Sequence, residues 1–286
     1  MLKDLNHLIE YIESHLTEEF SIAEAAKAIG ISEYHLKRTF SFIAGMTLFD
    51  YIKNRKFSLA NSDLIAGQKV TEVAFKYGYQ TVEGFSRAFR EWSGYTPSDV
   101  SKNKLQKSFP KLTFFIDVKG GSSMKFKIEE KVAFYLVGVS KRVPYQFEGE
   151  NQAIRQLSES ITSQQKAEMH ELEDLYPHQV INASYNFDQD RSQEIGELTH
   201  MIGVATTKEN PFSDLEQLRV PSHMWAIFPS EGIFPTTLQE TWGKIYSEWL
   251  PSSEYELVEA PEISFIRFGD DPKKVYSEIW IAVKRK

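Results

Sequence analysis

The chain has 286 residues, with 33 Lys and Arg against 40 Asp and Glu and a formal net charge of −7. This length accommodates two domains, each with its own core. Cysteine is absent, which excludes disulfides and thiolate metal sites. There is no signal-peptide pattern and no apolar run long enough to span a membrane, so we expect a cytoplasmic protein.

One two-helix pattern occurs twice near the start of the chain, at residues 21–43 and 70–92. Each copy has a short helix, a glycine, a hydroxyl residue suited to an N-cap and a second helix with apolar residues one turn apart. The matched positions are Gly30 and Gly78, Ser32 and Thr81, Leu36 and Phe85, and Phe40 and Phe89. We expect both glycines at positive φ. The duplication favours two helix-turn-helix motifs over two unrelated helical hairpins.

Residues 1–107 resemble the DNA-binding domain of AraC/XylS-type transcription regulators. The resemblance extends to Tyr51, Ile52, Arg55 and Ala60 in the intervening helix and to the closing turn GYTPS at 94–98. It implies an all-α domain whose two second helices enter successive major grooves, about 34 Å apart.

The resemblance also places candidate base-contacting residues on the two second helices. They are Tyr34, Lys37 and Arg38 in the first copy and Val82, Glu83, Ser86 and Arg87 in the second. Arg38 and Arg87 have two open roles, reading guanine directly or binding phosphate without sequence preference. Since Glu83 repels phosphate and Gly84 interrupts its helix, we expect the second copy to bind more weakly and discriminate more.

Charge is divided unevenly along the chain. Up to residue 107 there are 14 basic and 13 acidic side chains, and beyond it 19 and 27, so the balances are +1 and −8. DNA binding by the first part would therefore depend on local clusters such as Lys53, Arg55 and Lys56. The acidic second part is not expected to contact DNA. Between the two parts, we predict that residues 108–123 form a linker that contains a short strand at 112–118.

The remainder of the chain contains a second repeat, visible as a pattern of elements. We predict a strand at 132–140, a helix at 150–166 and strands at 179–187 and 198–207. The order then recurs, with a strand at 223–228, a helix at 235–249 and strands at 256–267 and 275–284. Two β-α-β-β repeats predict an α+β domain with its helices on one sheet face and a cleft on the other.

Residues 124–286 resemble the GyrI-like effector-binding domain. The resemblance is carried by residues 224–228 (MWAIF), Gly232, residues 249–251 (WLP) and the last strand at 276–283 (YSEIWIAV). Ala282 stands where the family usually has proline. The family implies a small-molecule effector, with a glutamate on the last strand as the usual ligand-binding carboxylate.

The last strand supplies the main site hypothesis. Alternation places Ile279, Ile281 and Val283 on one face and Tyr276, Glu278 and Trp280 on the other. A carboxylate between aromatic rings is costly to bury unless it meets a cation or a donor, and aromatic faces attract cations. We therefore expect an aromatic or cationic effector at Glu278. Further candidates for the cleft wall are Trp225, Tyr135, Tyr145 and Phe147. The alternative is a sheet-surface Glu278 paired with Lys or Arg.

No motif for phosphate binding, metalloprotease chemistry or a nucleophile elbow is present. His170 and His178 are spaced poorly for a helical metal site. We interpret the chain as a non-enzymatic transcription regulator without a metal or cofactor. Its expected partners are double-stranded DNA and a small-molecule effector, with RNA polymerase as a candidate and no membrane; the oligomeric state is open. Two alternatives are a GyrI-like hydrolase of small electrophiles that uses Glu278, and an adaptor that binds another protein instead of DNA.

Overall fold

The computed structural model describes residues 2–18, 21–114, 124–144, 151–188, 196–271 and 273–286. The chain divides into two compact units, Met1–Lys119 and Gly120–Lys286. The first is helical and the second is built on one large sheet with helices, so the predicted fold class is confirmed. Within the described residues, no helix combines the length and apolarity needed to cross a membrane.

Seven helices form the described part of the first unit. They are α1 (Leu2–Ser14), α2 (Ile22–Ala28), α3 (Glu33–Ala44), α4 (Leu48–Ile65), α5 (Val70–Lys76), α6 (Val82–Ser93) and α7 (Pro97–Asn103). The pairs α2–α3 and α5–α6 are the two predicted helix-turn-helix motifs.

The turns within the two motifs are built alike. Gly30 and Gly78 have φ of 74° and 86°, as expected of residues that leave a helix in the left-handed region. Ser32 and Thr81 then cap α3 and α6, accepting a hydrogen bond from the backbone N–H three residues later at 3.1 Å in each case. Local residue chemistry therefore sets the same turn in both copies.

Helix α4 joins two small cores. Its first half contributes Tyr51 to a core with α1, α2 and α3, and its second half contributes Phe57 to a core with α5, α6 and α7. The predicted apolar pairs lie at the centres of these cores, and the members are fully buried: Leu36, Phe40, Phe85 and Phe89.

The described part of the predicted linker packs on the first unit. Phe114 is 9% exposed in the first core, and its backbone N–H and carbonyl bond the side chain of Asn6 at 2.9 and 3.0 Å. The strand predicted at 112–118 is wrong for residues 112–114, which have no regular structure; the backbone of Phe114 is satisfied by a side-chain amide instead of a neighbouring strand. Residues 115–118 lie outside the described residues.

Nine strands and a few short helices form the described part of the second unit. The strands are β1 (Lys127–Lys131), β2 (Phe134–Pro144), β3 (Ile181–Tyr185), β4 (Glu197–Thr206), β5 (Glu216–Val220), β6 (His223–Gly232), β7 (Tyr255–Leu257), β8 (Glu262–Arg267) and β9 (Val275–Arg285). The helices are α8 (Gln152–Ser160), α9 (Ser163–Leu172), α10 (Thr236–Lys244) and α11 (Leu250–Ser252), with a π-helical turn at Ile245–Trp249.

Both repeats are present, with corrections to their elements. The predicted helix at 150–166 is two helices, because Thr162 forms a capping box with Gln165 and starts α9. The predicted strand at 256–267 is divided into β7 and β8. Strands β1 and β5 were not predicted; each is a five-residue edge strand rich in charged and polar side chains.

The strand order is β1-β6-β9-β8-β3-β4-β2-β5, with β7 pairing to β9. The two repeats exchange their edge strands. Strand β1 precedes the first repeat in the chain but pairs with β6 of the second, and β5 precedes the second repeat but pairs with β2 of the first. The two-residue links β1–β2 and β5–β6 therefore join opposite ends of the sheet. The links contact each other, because Ser222 Oγ in the β5–β6 link donates to the carbonyl of Lys131, the last residue of β1, at 3.1 Å.

These links require the sheet to curl. The rings of Phe134 in β2 and Trp225 in β6 lie 6.2 Å apart between centroids, although four strands separate β2 from β6 along the sheet. We call the enclosed surface the inner face. On the opposite, outer face, α8 and α9 pack over β2 and β4.

Candidate functional site

Strand β9 divides its side chains between the two faces as predicted. Trp280 and Ala282 belong to the inner-face core and Tyr276 packs against it, whereas Ile279 and Ile281 are buried on the other side. The alternation prediction for the last strand is therefore confirmed.

The carboxylate of Glu278 lies on the inner face and is 2% exposed. Oε1 accepts hydrogen bonds from the hydroxyls of Tyr176 at 2.9 Å and Tyr276 at 2.6 Å, and Oε2 accepts from Trp280 Nε1 at 2.8 Å. All three donors are neutral aromatic side chains. Among the described residues, Glu278 forms no ion pair with Lys or Arg, so the alternative of a sheet-surface carboxylate in a salt bridge is wrong.

Burial and the carboxylate together perturb the two tyrosines. The pKa values of Tyr276 and Tyr176 are both raised. The largest cause is desolvation by burial, and the hydrogen bond to Glu278 and the negative charge of Glu278 add to it. Both hydroxyls therefore remain protonated donors at neutral pH, and Glu278 is held by donors rather than by charge.

Aromatic rings form the walls around this carboxylate. Tyr176 stacks on Trp280 with centroids 6.0 Å apart and planes 9° apart, and Phe265 meets both rings edge to face. Trp225, fully buried on the same face, lies 6.4 Å from Trp280. Trp225 therefore lies on the face on which it was expected, and its contact with a ligand stays a prediction.

Tyr176 is the site residue that sequence reasoning missed. It lies in the loop between α9 and β3 and is 41% exposed, with no periodic pattern to indicate its direction. The loop is attached to β8 through Gln179, which donates to the Ile266 carbonyl at 2.8 Å and accepts from Arg267 Nε at 3.2 Å. A residue of the first repeat thereby completes a site whose carboxylate belongs to the second.

One predicted wall residue, Tyr135, lies away from the site. Tyr135 packs with the outer-face core beneath α8 and α9, because its neighbours Phe134 and Leu136 are the inner-facing residues of β2. Its assignment to the cleft is wrong. Tyr145 and Phe147 lie outside the described residues.

A second polar group lies farther along the inner face. Lys131 in β1 places its Nζ 4.5 Å from the centroid of the Trp280 ring, and its other neighbour is Glu129 at 3.1 Å. His223 Nε2 and Trp225 Nε1 are both buried without a hydrogen-bond partner in the described part of the chain. We call Lys131, His223 and Trp225 the donor end of the inner face.

The two predicted recognition helices differ in exposure. In α3, Arg38 is only 6% exposed and its guanidinium lies 5.9 Å from the Phe42 ring, while Lys37 pairs with Glu33 at 2.5 Å. Both DNA-contacting roles expected for Arg38 require an exposed guanidinium, and that expectation is wrong. Burial of α3 extends beyond the apolar stripe of Leu36 and Phe40 to His35 and Thr39. Arg38, on the side of the helix opposite that stripe, is buried as well.

Helix α6 presents the more accessible cations. Glu83, Arg87 and Arg90 are exposed, and Val82 and Ser86 are half-buried. Within the described residues, the guanidinium groups of Arg87 and Arg90 have no ion-pair or hydrogen-bond partner. Together with Ser86, Glu91, Gly94 and Thr96 they line an open surface groove. Arg90 was not among the predicted DNA contacts.

The expected basic cluster on α4 also changes. Arg55 donates from Nε and Nη2 to the two carboxylate oxygens of Glu13 at 2.8 and 2.7 Å, and from Nη1 to the Phe109 carbonyl. Tyr51 donates to the same carboxylate at 2.7 Å. Arg55 therefore holds α1, α4 and the segment after α7 together and is not a surface base for phosphate.

Comparison with known proteins gives a match for each unit. Residues 124–284 match the model of the GyrI-like small molecule binding domain, more than half of the chain, and residues 25–103 match a helix-turn-helix domain model. The regulatory protein SoxS of Escherichia coli (strain K12) is 35% identical over 98 residues, 34% of this chain and 92% of SoxS. The HTH-type transcriptional activator AarP of Providencia stuartii is 30% identical over 114 residues, 38% of this chain and 84% of AarP.

Among solved structures, SAV2435 bound to tetraphenylphosphonium is similar to 56% of this chain and 94% of its own. The sequence identity is 16% and the TM-score 0.45.

Proposed function

This chain belongs to the AraC-type DNA-binding regulators that carry a C-terminal GyrI-like small-molecule-binding domain, and we propose that its effector is an aromatic cation that binds at Glu278. The observation that carries the proposal is a carboxylate 2% exposed, held by three neutral donors and by no cation of the described residues.

The energetics favour a cationic ligand. A buried carboxylate loses most of its hydration, and neutral donors compensate for only part of that loss. A ligand cation supplies the missing charge, and the faces of Tyr176 and Trp280 add cation–π attraction beside it. A hydrolase is less well supported, because the groups nearest the carboxylate are two tyrosine hydroxyls and an indole N–H that donate to it, which is an arrangement that binds a ligand rather than one that positions a water.

For DNA recognition we propose that α6 carries the principal contacts. Its exposed Arg87 and Arg90 supply positive charge, with Val82, Glu83 and Ser86 beside them on the same helix. The contribution of α3 rests on Tyr34 and Lys37, whereas Arg38 supports the domain internally. This reverses the expected ranking of the two motifs.

The effector proposal is tested by calorimetric titration at pH 7.5 with 1-methylquinolinium, a permanent cation, and with quinoline, its neutral counterpart. We expect the cation to bind at least about tenfold more tightly, and Glu278→Gln to remove that preference. Glu262→Gln is the matched control, since Glu262 is also buried but accepts from Tyr246 at 2.6 Å on the outer face.

The same variants test regulation. A duplex selected from a random library should bind the wild-type protein with an affinity that 1-methylquinolinium changes, and Glu278→Gln should abolish the change. Equal cation binding by wild type and Glu278→Gln would show that the carboxylate is not the ligand site.

A further inference from the structure

The donor end of the inner face has a chemistry opposite to that of Glu278. Trp225 is fully buried, yet its indole N–H has no acceptor within the described part of the chain. An indole N–H can only donate, so an unmade hydrogen bond there costs free energy. His223 Nε2, buried beside it with rings 6.2 Å apart, lacks a partner as well.

A positive charge accompanies these donors. Lys127 and Lys131 flank Glu129 on β1 at 2.7 and 3.1 Å, so the three side chains leave one net positive charge. The register pairs Glu129 with Trp225 and Lys131 with His223, which puts the charge next to the unpartnered Trp225 N–H and His223 Nε2. Lys131 Nζ extends from there over Trp280.

The two ends are separated by a defined length of strand. Trp225 is paired with Ala282, four residues beyond Glu278 along β9, which corresponds to roughly 13 Å at the usual rise of a strand. Trp280 lies between them and contacts both ends, with its N–H on Glu278 and its ring under Lys131. An aromatic ligand on this face would therefore have a carboxylate near one end and cationic and neutral donors near the other.

We propose that the effector is an aromatic zwitterion, with its cation at Glu278 and a carboxylate or sulfonate at Lys131 and the Trp225 N–H. This rests on the proposed function and extends it, since the cation alone would leave the donor end unused. Charge complementarity at both ends fixes the orientation of the ligand as well as its class. Lys131 becomes a specificity residue, because it repels a simple cation and attracts an acid.

The test uses a probe series in which only the far end changes. N-(ω-carboxyalkyl)quinolinium ions with three, five or seven methylene groups are compared with their methyl esters, which keep the cation and lose the anion. Titration of the full-length protein at pH 7.5 should show the best acid binding at least about tenfold more tightly than its ester, at one preferred chain length.

Three variants assign the effect to residues. Lys131→Met should remove most of the preference for the acid while leaving ester binding equal or stronger, and Trp225→Phe should reduce the preference while keeping the ring. Lys127→Met removes the same unit of charge from β1 at a side chain that is 48% exposed and screened by solvent, so it should reduce the preference much less than Lys131→Met. Ester binding shows in each case that the variant is folded.

The outcomes separate this proposal from the one it rests on. If esters bind in a Glu278-dependent way but acids are no better at any chain length, the zwitterion is wrong and the cation site stands. If Lys131→Met weakens acid and ester equally, Lys131 only supports the fold, and the proposal is again wrong. If no probe binds, both are overturned.

Discussion

Trp280 donates its indole N–H to Glu278 Oε2 across 2.8 Å, from a position two residues away on the same face of β9. The donor is fixed by strand geometry, because alternate residues of a strand share a face. The tyrosine donors come from different repeats, Tyr276 from the second and Tyr176 from the first. All three donors are neutral, so no opposite charge from the described residues offsets the burial of this side chain.

We therefore expect Glu278→Gln to be at least as stable as the wild type when no ligand is present. The amide oxygen can accept from Trp280 and the amide nitrogen can donate to the tyrosine oxygens, so the hydrogen bonds survive while the buried charge is removed. A gain of about 1 kcal/mol corresponds to a melting temperature roughly 2–4 °C higher. Differential scanning calorimetry measures it; a clear decrease would mean that the carboxylate is required by the fold.

The site shows which parts of a structure a sequence can predict. Alternation within β9 needs only local geometry, and it places Glu278 and Trp280 correctly. Tyr135 fails because both faces of β2 are buried, so alternation cannot say which one is inner. Tyr176 lies in a loop, and its position depends on packing between repeats that no local pattern records.

The same limit appears in the helical unit. The turns at Gly30 and Gly78 follow from local backbone chemistry and are confirmed. The burial of Arg38 is not foreseeable from helical periodicity, since position 38 lies opposite the stripe formed by Leu36 and Phe40. Likewise the edge strands β1 and β5 each pair with a strand of the other repeat, which no local pattern in their sequences indicates.

Arg87→Ala should weaken DNA binding directly. The guanidinium is exposed, so its loss should lower affinity for a selected duplex by about tenfold and reduce the salt slope by about one. Gel shifts over a range of salt concentrations measure both. A loss that is equal on all duplexes assigns Arg87 to phosphate, and a loss confined to one base position assigns it to guanine.

The matched control for that measurement is Arg155→Ala. Arg155 is a similarly exposed arginine, 55% accessible, in the acidic second unit, where it pairs with Glu159 at 3.0 Å. Its removal should change neither affinity nor salt slope. If the two substitutions had the same effect, Arg87 would be acting only through the net charge of the protein.

Arg38→Ala should act through stability instead. Removal of a side chain that is 6% exposed and packed beside Phe42 should destabilise the first unit by about 1–3 kcal/mol. Urea unfolding followed by far-UV circular dichroism measures the change, and Arg38→Met, which keeps the apolar stem, should recover part of it. If Arg38→Ala left the free energy of unfolding unchanged and reduced the salt slope of DNA binding by one, Arg38 would be a DNA-contacting residue after all.

The second unit should lose stability in mild acid because of His200. Burial lowers the pKa of His200 to about 4, and its ring nitrogens are bonded to Ser184 Oγ at 3.0 Å and Asn182 Oδ1 at 3.1 Å. Above about pH 6.5 the imidazole is neutral in both the folded and the unfolded chain. Below that value the unfolded chain takes up a proton that the folded chain refuses, so stability falls as pH decreases toward 4.

Each pH unit in this window costs about 1.4 kcal/mol, so the loss attributable to His200 approaches about 3 kcal/mol near pH 4. Urea unfolding followed by tryptophan fluorescence at pH 7.5, 6 and 4.5 measures it, since four of the five tryptophans lie in this unit. His200→Asn should flatten the dependence, whatever its stability at pH 7.5. Burial also lowers the pKa of His223, so His223→Asn is measured for comparison. If His223→Asn flattened the dependence of stability on pH and His200→Asn did not, the acid sensitivity would arise from His223 and not from His200.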